Sequence, residues 1–323
     1  MNLFRNSSSF FLFLIALLLF VIMAVSSFIV PAWSNLDSQN AIGTYTIGLP
    51  PLRRSSCSFD TTIQFIPTFV DSSLAPTPIV TYEEHWSTAT AKELAASKSV
   101  VHLLGTDRYG QDYFQQSLRS YQGTLMVILL SGLLSLILGG IVSGIILALP
   151  PKIERYAYKI LGLLVILPLV IVVIFASTLI TNQRGVTLVL LFGFSTWPWV
   201  AKPLYEIFKE LSKKEFLLFH HIRGESFFRQ LFFYYLPHSI TTIIEVFWVV
   251  VGIALMQEIG LSVMGLSSTT TPTLGKLLIA AQNSGAYIDG LWWVFGAPIV
   301  LLSTIQLLIS LMIYGVRSSE RGV

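Results

Sequence analysis

Four kinds of side chain in this 323-residue sequence could do chemistry: the adjacent pair His220 and His221, the carboxylates Glu245 and Glu258 in apolar surroundings, the Gly275-Lys276 pair, and the lone Cys57. Neighbouring histidines on a helix point in different directions, so they cannot readily share one metal ion. Gly275-Lys276 is like the end of a phosphate-binding loop, but the preceding glycine is missing and Leu277 stands where Ser or Thr would hold Mg²⁺. One cysteine excludes both an intramolecular disulfide framework and a cysteine-based metal cage. Glu245 has two readings. A carboxylate inside an apolar span is costly and can mark a proton relay, or it can lie a turn or two inside the boundary and reach water or a neighbouring charged segment. The apolar runs hold no paired histidines, paired aspartates or serine-lysine arrangement of a membrane-embedded hydrolase. No catalytic, cofactor-binding or metal-binding residue is therefore assigned, and no ATP site is expected in the chain.

The elements that would hold these residues are membrane helices. Hydrophobic residues make up 54% of the chain and charged ones 11%, against roughly a quarter charged in soluble domains. The net charge of +3 is too small to point to nucleic acid, and the basic residues lie beside apolar blocks. Apolar blocks cover residues 10–30, 124–149, 160–180, 186–201, 240–256 and 291–316, predicting an all-α membrane protein of about six spans. The first block is too long for a signal-peptide core of about 7–15 residues, so a retained helix is expected. Pro168 predicts a kink rather than a break. Gly140 and Gly144 form a small-residue interval that lets helices approach, and Trp197, Trp199, Trp292 and Trp293, near block ends, are expected to anchor at the interface.

Three regions follow: residues 1–30, a tail and first helix; residues 31–122, a polar Ser/Thr/Pro-rich insertion with a signature segment; and residues 123–323, the transmembrane core. With the termini cytoplasmic, Arg5, the basic residues of 152–159 and 202–229, Arg317 and Arg321 face inward, leaving Arg184 and Lys276 in short outer loops. The insertion is then extracytoplasmic, where it either docks a partner or packs over the outer mouth.

Residues 202–238 are too charged to span. Leu204, Ile207, Phe208 and Leu211 keep helical spacing, with Glu206, Lys209, Glu210 and Lys213 opposite, and Glu210 and Lys214 are placed for an i,i+4 pair. A second short helix is expected over residues 215–223, stopped by Gly224, and a further turn from Glu225 and Ser226 to Pro237. Such a segment is either a rigid cytoplasmic knob or a plain loop covering the bundle.

Within it, Glu215 through Phe219, His220, Gly224, Glu225 and Ser226 to Leu236-Pro237 resembles the cytoplasmic coupling loop of binding-protein-dependent ABC importer permeases, with Gly224 and Pro237 thirteen positions apart as in that family. The usual small pair before the glycine is replaced by Phe219 and His220. Upstream, His102, Gly105, Thr106, Asp107, Gly110 and Asp112 resemble the Gly-Thr-Asp signature of peptide and nickel importer permeases, with Leu103 and Gln111 replacing its proline and arginine. Downstream, Glu258, Leu261, Ser262 and Gly265 are similar to the family's Glu-x-x-Leu-Ser stretch, and Gly315-Val-Arg317 to its ending, with Tyr314 in place of aspartate. The resemblance covers residues 102–317 and matches the second-type membrane subunit. It implies a type I permease fold in the bacterial inner membrane, with a homologous permease subunit, two cytoplasmic ATPase subunits and an extracytoplasmic solute-binding protein as partners. The lipid bilayer surrounds it and nucleic acid has no place. The implied solute is a peptide, with nickel or another small solute open, and the alternative is an ion-coupled secondary transporter using Glu245 and Glu258.

Overall fold

The computed structural model describes residues 7–33, 51, 53–55, 100–107, 112–166, 169–179, 184–215, 225–267 and 270–321. Its helices, in chain order, are α1 Ser7–Trp33, α2 Tyr113–Ala148, α3 Pro151–Ile166, α4 Leu169–Thr178, α5 Gly185–Leu211, α6 Phe227–Gln230, a π-helical turn Leu231–Tyr235, α7 Leu236–His238, α8 Ile240–Val263, α9 Leu274–Asn283 and α10 Trp292–Arg321. One small ribbon, β1 Arg53–Ser55 antiparallel to β2 Val100–His102, pairs Arg53 with His102 within the insertion. The chain is an all-α membrane protein. Helices α2, α8 and α10 are each long and apolar enough to cross a bilayer, and α3 with α4 makes a bent fourth candidate. With α1 and α5, each 27 residues long, the described residues hold six helical units.

Helix boundaries depart from the apolar blocks where polar residues extend a helix beyond the lipid. Thus α2 begins at Tyr113 rather than near residue 124. Asp112, in extended backbone, accepts from the amides of Phe114 at 2.9 Å and Gln115 at 3.2 Å, which starts the helix there. At 36 residues it measures about 54 Å, longer than the roughly 30 Å hydrocarbon core. The basic stretch 152–159, expected as a turn, is instead the first half of α3, with Pro151 at the helical position that tolerates proline. Helices α3 and α4 meet at 80°, a sharper change than a kink, with Pro168 outside the described residues. Residues 202–211, expected as a separate amphipathic helix, continue α5 through Pro198 and Pro203, while Leu204, Phe208 and Leu211 are buried as their spacing predicts.

The longest seam is α2 against α5. A Cβ on Gly139 would lie 2.4 Å from Val200, and one on Gly193 2.6 Å from Leu134, so absent side chains set the helix separation. Ser135 and Thr196 join their hydroxyls across the seam at 2.7 Å. Among the described residues nothing lies within 4 Å of the Cβ position of Gly140, while that of Gly144 meets Leu231 at 3.2 Å. One residue along a helix is about 100° of rotation, which turns Gly140 away from α5. Helices α8 and α10 complete the core, and α1 lies on α10 and α2, with Phe13, Ala16 and Phe20 buried.

Candidate functional site

The Gly-Thr-Asp signature folds into a clamp between the starts of two spanning helices. Gly105, at φ +73°, presents its carbonyl to the Tyr113 amide at 3.1 Å. Thr106 bridges to Asp112, the cap of α2, and Asp107 accepts from Gln116 Nε2 at 2.9 Å. The clamp then reaches α10. Trp293 Nε1 donates to the Thr106 carbonyl at 3.1 Å, and the Tyr113 hydroxyl donates to the Val294 carbonyl at 2.6 Å. Trp293 is 7% exposed and therefore belongs to this clamp rather than to an interfacial anchor, whereas Trp292, 70% exposed, is free to anchor. His102 sits on β2 opposite Arg53, and Gly110 lies outside the described residues.

The second motif closes the same end. Glu258, 1% exposed on α8, accepts from Ser262 Oγ at 2.8 Å. Its other oxygen lies 2.9 Å from where a Cβ on Gly275 would stand, so glycine there lets α9 seat directly on the carboxylate. Leu261 is fully buried. Helix α8 ends in a Schellman turn: the Leu266 amide bonds to Leu261 O and the Gly265 amide to Ser262 O, both at 2.9 Å, with Gly265 at φ +72°. That geometry gives Gly265 its place in the motif. Thr273 caps α9, and the Leu274 amide donates to Thr124 Oγ1 on α2 at 2.8 Å. Tyr113, Leu277, Ala281, Leu291 and Trp293 then form one apolar cluster. Two motifs some 150 residues apart thus meet through Thr124 and Thr273, which the sequence reading did not single out, and through Trp293, which it had expected as an interfacial anchor. The only signal for the two threonines was position beside the motifs.

The opposite end is built from charge. Lys209 Nζ lies 2.5 Å from Glu154 Oε1, the Tyr205 hydroxyl donates to the same oxygen at 2.8 Å, and the Tyr158 hydroxyl donates to Glu206 at 2.7 Å, together fastening α3 to α5. Glu245 pairs with Arg317 Nε at 2.5 Å, joining the start of α8 to the end of α10. Neither sequence reading of Glu245 named Arg317. Glu245 and Glu258 are thirteen residues apart on one helix, about 20 Å, so they do not form a single ion-coupling pair.

The expected coupling segment enters at this end. Glu215 is exposed, Phe219, His220 and Gly224 lie outside the described residues, and Glu225 and Ser226 lead into α6. Gln230, buried, donates to the Glu225 carbonyl at 3.0 Å. The π-helical turn sets Leu231 against Gly144 and Tyr235 edge-on to Phe208 at 5.6 Å, so the segment leans on both α2 and α5. Leu236 is half-buried and Pro237 exposed; Phe228, Phe232 and Phe233 face outward.

No protein-family model matches the sequence. It is 26% identical over 209 residues to a protein of Brucella suis biovar 1 (strain 1330) bearing the name peptide permease, covering 64% of this chain and 68% of that one. It is 24% identical over 205 residues to the dipeptide transport system permease protein DppC of Bacillus subtilis (strain 168), covering 64% of this chain and 63% of that one. A peptide transport system permease of the same Brucella strain matches at 24% over 216 residues, 67% of this chain and 72% of that one. The chain is thus similar, at about 25% identity, to permease proteins of peptide transport systems. That likeness is to transport subunits rather than to enzymes, and with its long apolar helices the chain is a multi-pass membrane protein. Its two motifs form a hydrogen-bonded closure at one end of the bundle, and the Lys209–Glu154 and Arg317–Glu245 pairs lie at the other, where the charged segment joins.

Proposed function

We propose that this permease is the second-type membrane subunit of an ATP-driven importer of peptides in a bacterial cytoplasmic membrane. It works with a homologous permease subunit, two cytoplasmic ATPase subunits and an extracytoplasmic solute-binding protein. Both termini and the segment 202–238 are cytoplasmic, and the insertion 31–122, which contains the β1–β2 ribbon, is extracytoplasmic. The observation that carries this reading is the division of the bundle: both motifs meet at one end, joined by the Trp293–Thr106 and Leu274–Thr124 hydrogen bonds, and the segment resembling a coupling loop meets the opposite end, beside the Lys209–Glu154 and Arg317–Glu245 ion pairs. The relatives' names supply peptide as the solute.

The described contacts suggest how coupling would pass. Residues 225–238 press on α2 through Leu231 and on α5 through Tyr235, so displacement by an ATPase subunit would move two spans together as a rigid element. Gly224, at the expected helix junction, tolerates backbone angles closed to other residues. The test is Gly224→Leu in the assembled complex in proteoliposomes, with dipeptide uptake and ATP hydrolysis read together. Uptake lost while the subunit still inserts and co-purifies with its homologous subunit is the expected result. Normal uptake with normal coupling would remove Gly224 from the lever, and failure of the chain to co-purify with any ATPase would remove the importer reading.

A further inference from the structure

Between α1, α2 and α10, at the end closed by the two motifs, lies a pocket of about 440 Å³. Met23 of α1, Tyr121 of α2, and Gly296 and Val300 of α10 line it, and Pro51 and Leu104, from the two arms of the insertion, border it as well. The two hydroxyls on the wall are already committed to their own helices: Ser26 donates to the Met23 carbonyl at 2.9 Å and Ser117 to the Tyr113 carbonyl at 2.7 Å. Tyr121 offers its ring, while its hydroxyl is closed off from water. A peptide backbone laid here would lose its hydration and find few donors or acceptors in return, which makes the pocket costly for the transported solute.

Its position identifies a different occupant. Helix α1 packs mainly on α10 and α2, and Leu18, Ile22 and Val25 of its outer face are exposed, so the helix roofing the pocket is peripheral and lipid-facing. Along α10 the pocket runs from Trp292 to Leu301, nine residues or about 14 Å, which is close to one leaflet of a hydrocarbon core about 30 Å thick. It begins at the interfacial Trp292 and ends among aliphatic side chains. We propose that the pocket is a binding site for one acyl chain of a phospholipid, inserted beneath α1 from the leaflet at the motif-bearing end. The chain fills a space that α1 does not reach and so fastens that helix to the clamp through dispersion and apolar burial.

The test uses the purified full chain in nanodiscs of phosphatidylethanolamine and phosphatidylglycerol, doped with a phosphatidylcholine carrying a mid-chain diazirine, with adducts mapped by mass spectrometry. Adducts concentrated on the peptides bearing Phe114 to Tyr121 and Trp292 to Leu301 are expected, above those on the exposed face around Leu18 and Ile22. Gly296→Trp should reduce the pocket adducts about tenfold and leave the α1 outer-face adducts unchanged, since it removes room for several methylenes; the Cβ position at Gly296 meets nothing nearer than 3.8 Å, so a larger side chain can enter the pocket. Ala297→Phe provides a second filling variant should the first not accumulate. Labelling of wild type spread evenly over all lipid-facing helices, or cross-links from the pocket to the chain's own insertion, would overturn the proposal before any variant is made.

Discussion

The two ends of the bundle are fastened by different chemistry. At the motif-bearing end, α2 is joined to α10 and to the start of α9 by neutral hydrogen bonds, α9 seats on the Glu258 carboxylate of α8, and backbone approaches leave no room for a methyl group, as at Gly123, where a Cβ would stand 1.9 Å from the Pro272 carbonyl. At the other end the fastenings are side-chain ion pairs in which a long, partly exposed cation reaches a more enclosed carboxylate, Lys209 to Glu154 and Arg317 to Glu245. Close backbone packing has one arrangement, because interiors are dense and resist continuous deformation. Long charged side chains can exchange one partner for another or for water at small cost. The difference assigns a static role to the first end and leaves rearrangement to the second, which is also where the segment 225–238 rests.

Gly123→Ala gives the sharpest contrast and the largest expected effect. The added methyl would overlap a backbone carbonyl, which cannot rotate away, so the loop before α9 must shift and the Leu274 to Thr124 bond must stretch. A loss of about 3 kcal/mol or more is expected, read as a lowered unfolding temperature in detergent. Gly144→Ala, at the other end, meets only the flexible tip of Leu231 at 3.2 Å and should change little. Equal effects for the two substitutions would end the distinction.

Lys209→Met is next. It strands Glu154, whose side chain is 8% exposed, with only the Tyr205 hydroxyl as partner. Removing one member of a buried pair costs about 3–5 kcal/mol, but Lys209 is 42% exposed and water reaches the site, so about 1–3 kcal/mol is expected. Adding Glu154→Gln should recover most of that loss, and raising salt should shrink the coupling. Absence of any recovery in the double variant would mean that the pair does not hold α3 to α5.

Thr124→Val keeps the shape but removes the acceptor of the Leu274 amide, which is buried. An unsatisfied amide costs about 1–3 kcal/mol, and because both partners are neutral the loss should be the same in low and high salt. A salt-dependent loss here would contradict the assignment of this end to neutral bonding.

Periodicity made the helices legible and motif spacing made the clamp's own residues legible, but neither carried their partners. Gly105, Asp112, Glu258 and Gly265 stand out because backbone turns and caps impose residue types locally. Thr124 and Trp293 do not, since their roles arise from contact with residues more than 100 positions away. The close approach of Gly139 to Val200 was not legible, because spacing alone cannot say which way a helix face turns. The start of α2 was set eleven residues late for a related reason: hydropathy marks where lipid begins, whereas Asp112 marks where hydrogen bonding begins.

The smallest effect is expected at Glu210 and Lys214, and it tests whether charge matters at that end through number or through burial. The sequence placed these residues four apart on a helix face, and their side chains do approach, at 3.7 Å, but both are more than half exposed. In water the attraction between such groups is weak, holding two long side chains in place costs entropy, and pairs of this kind contribute about 0.3–0.5 kcal/mol. Lys214→Ala should therefore lower the unfolding temperature by less than Lys209→Met does, although both remove one lysine from the same helix end and change the net charge equally. If the effect came from the overall field of the basic cluster, the two variants would match. If it comes from the buried carboxylate of Glu154, Lys214→Ala should be close to silent, and adding Glu210→Gln to it should change nothing further.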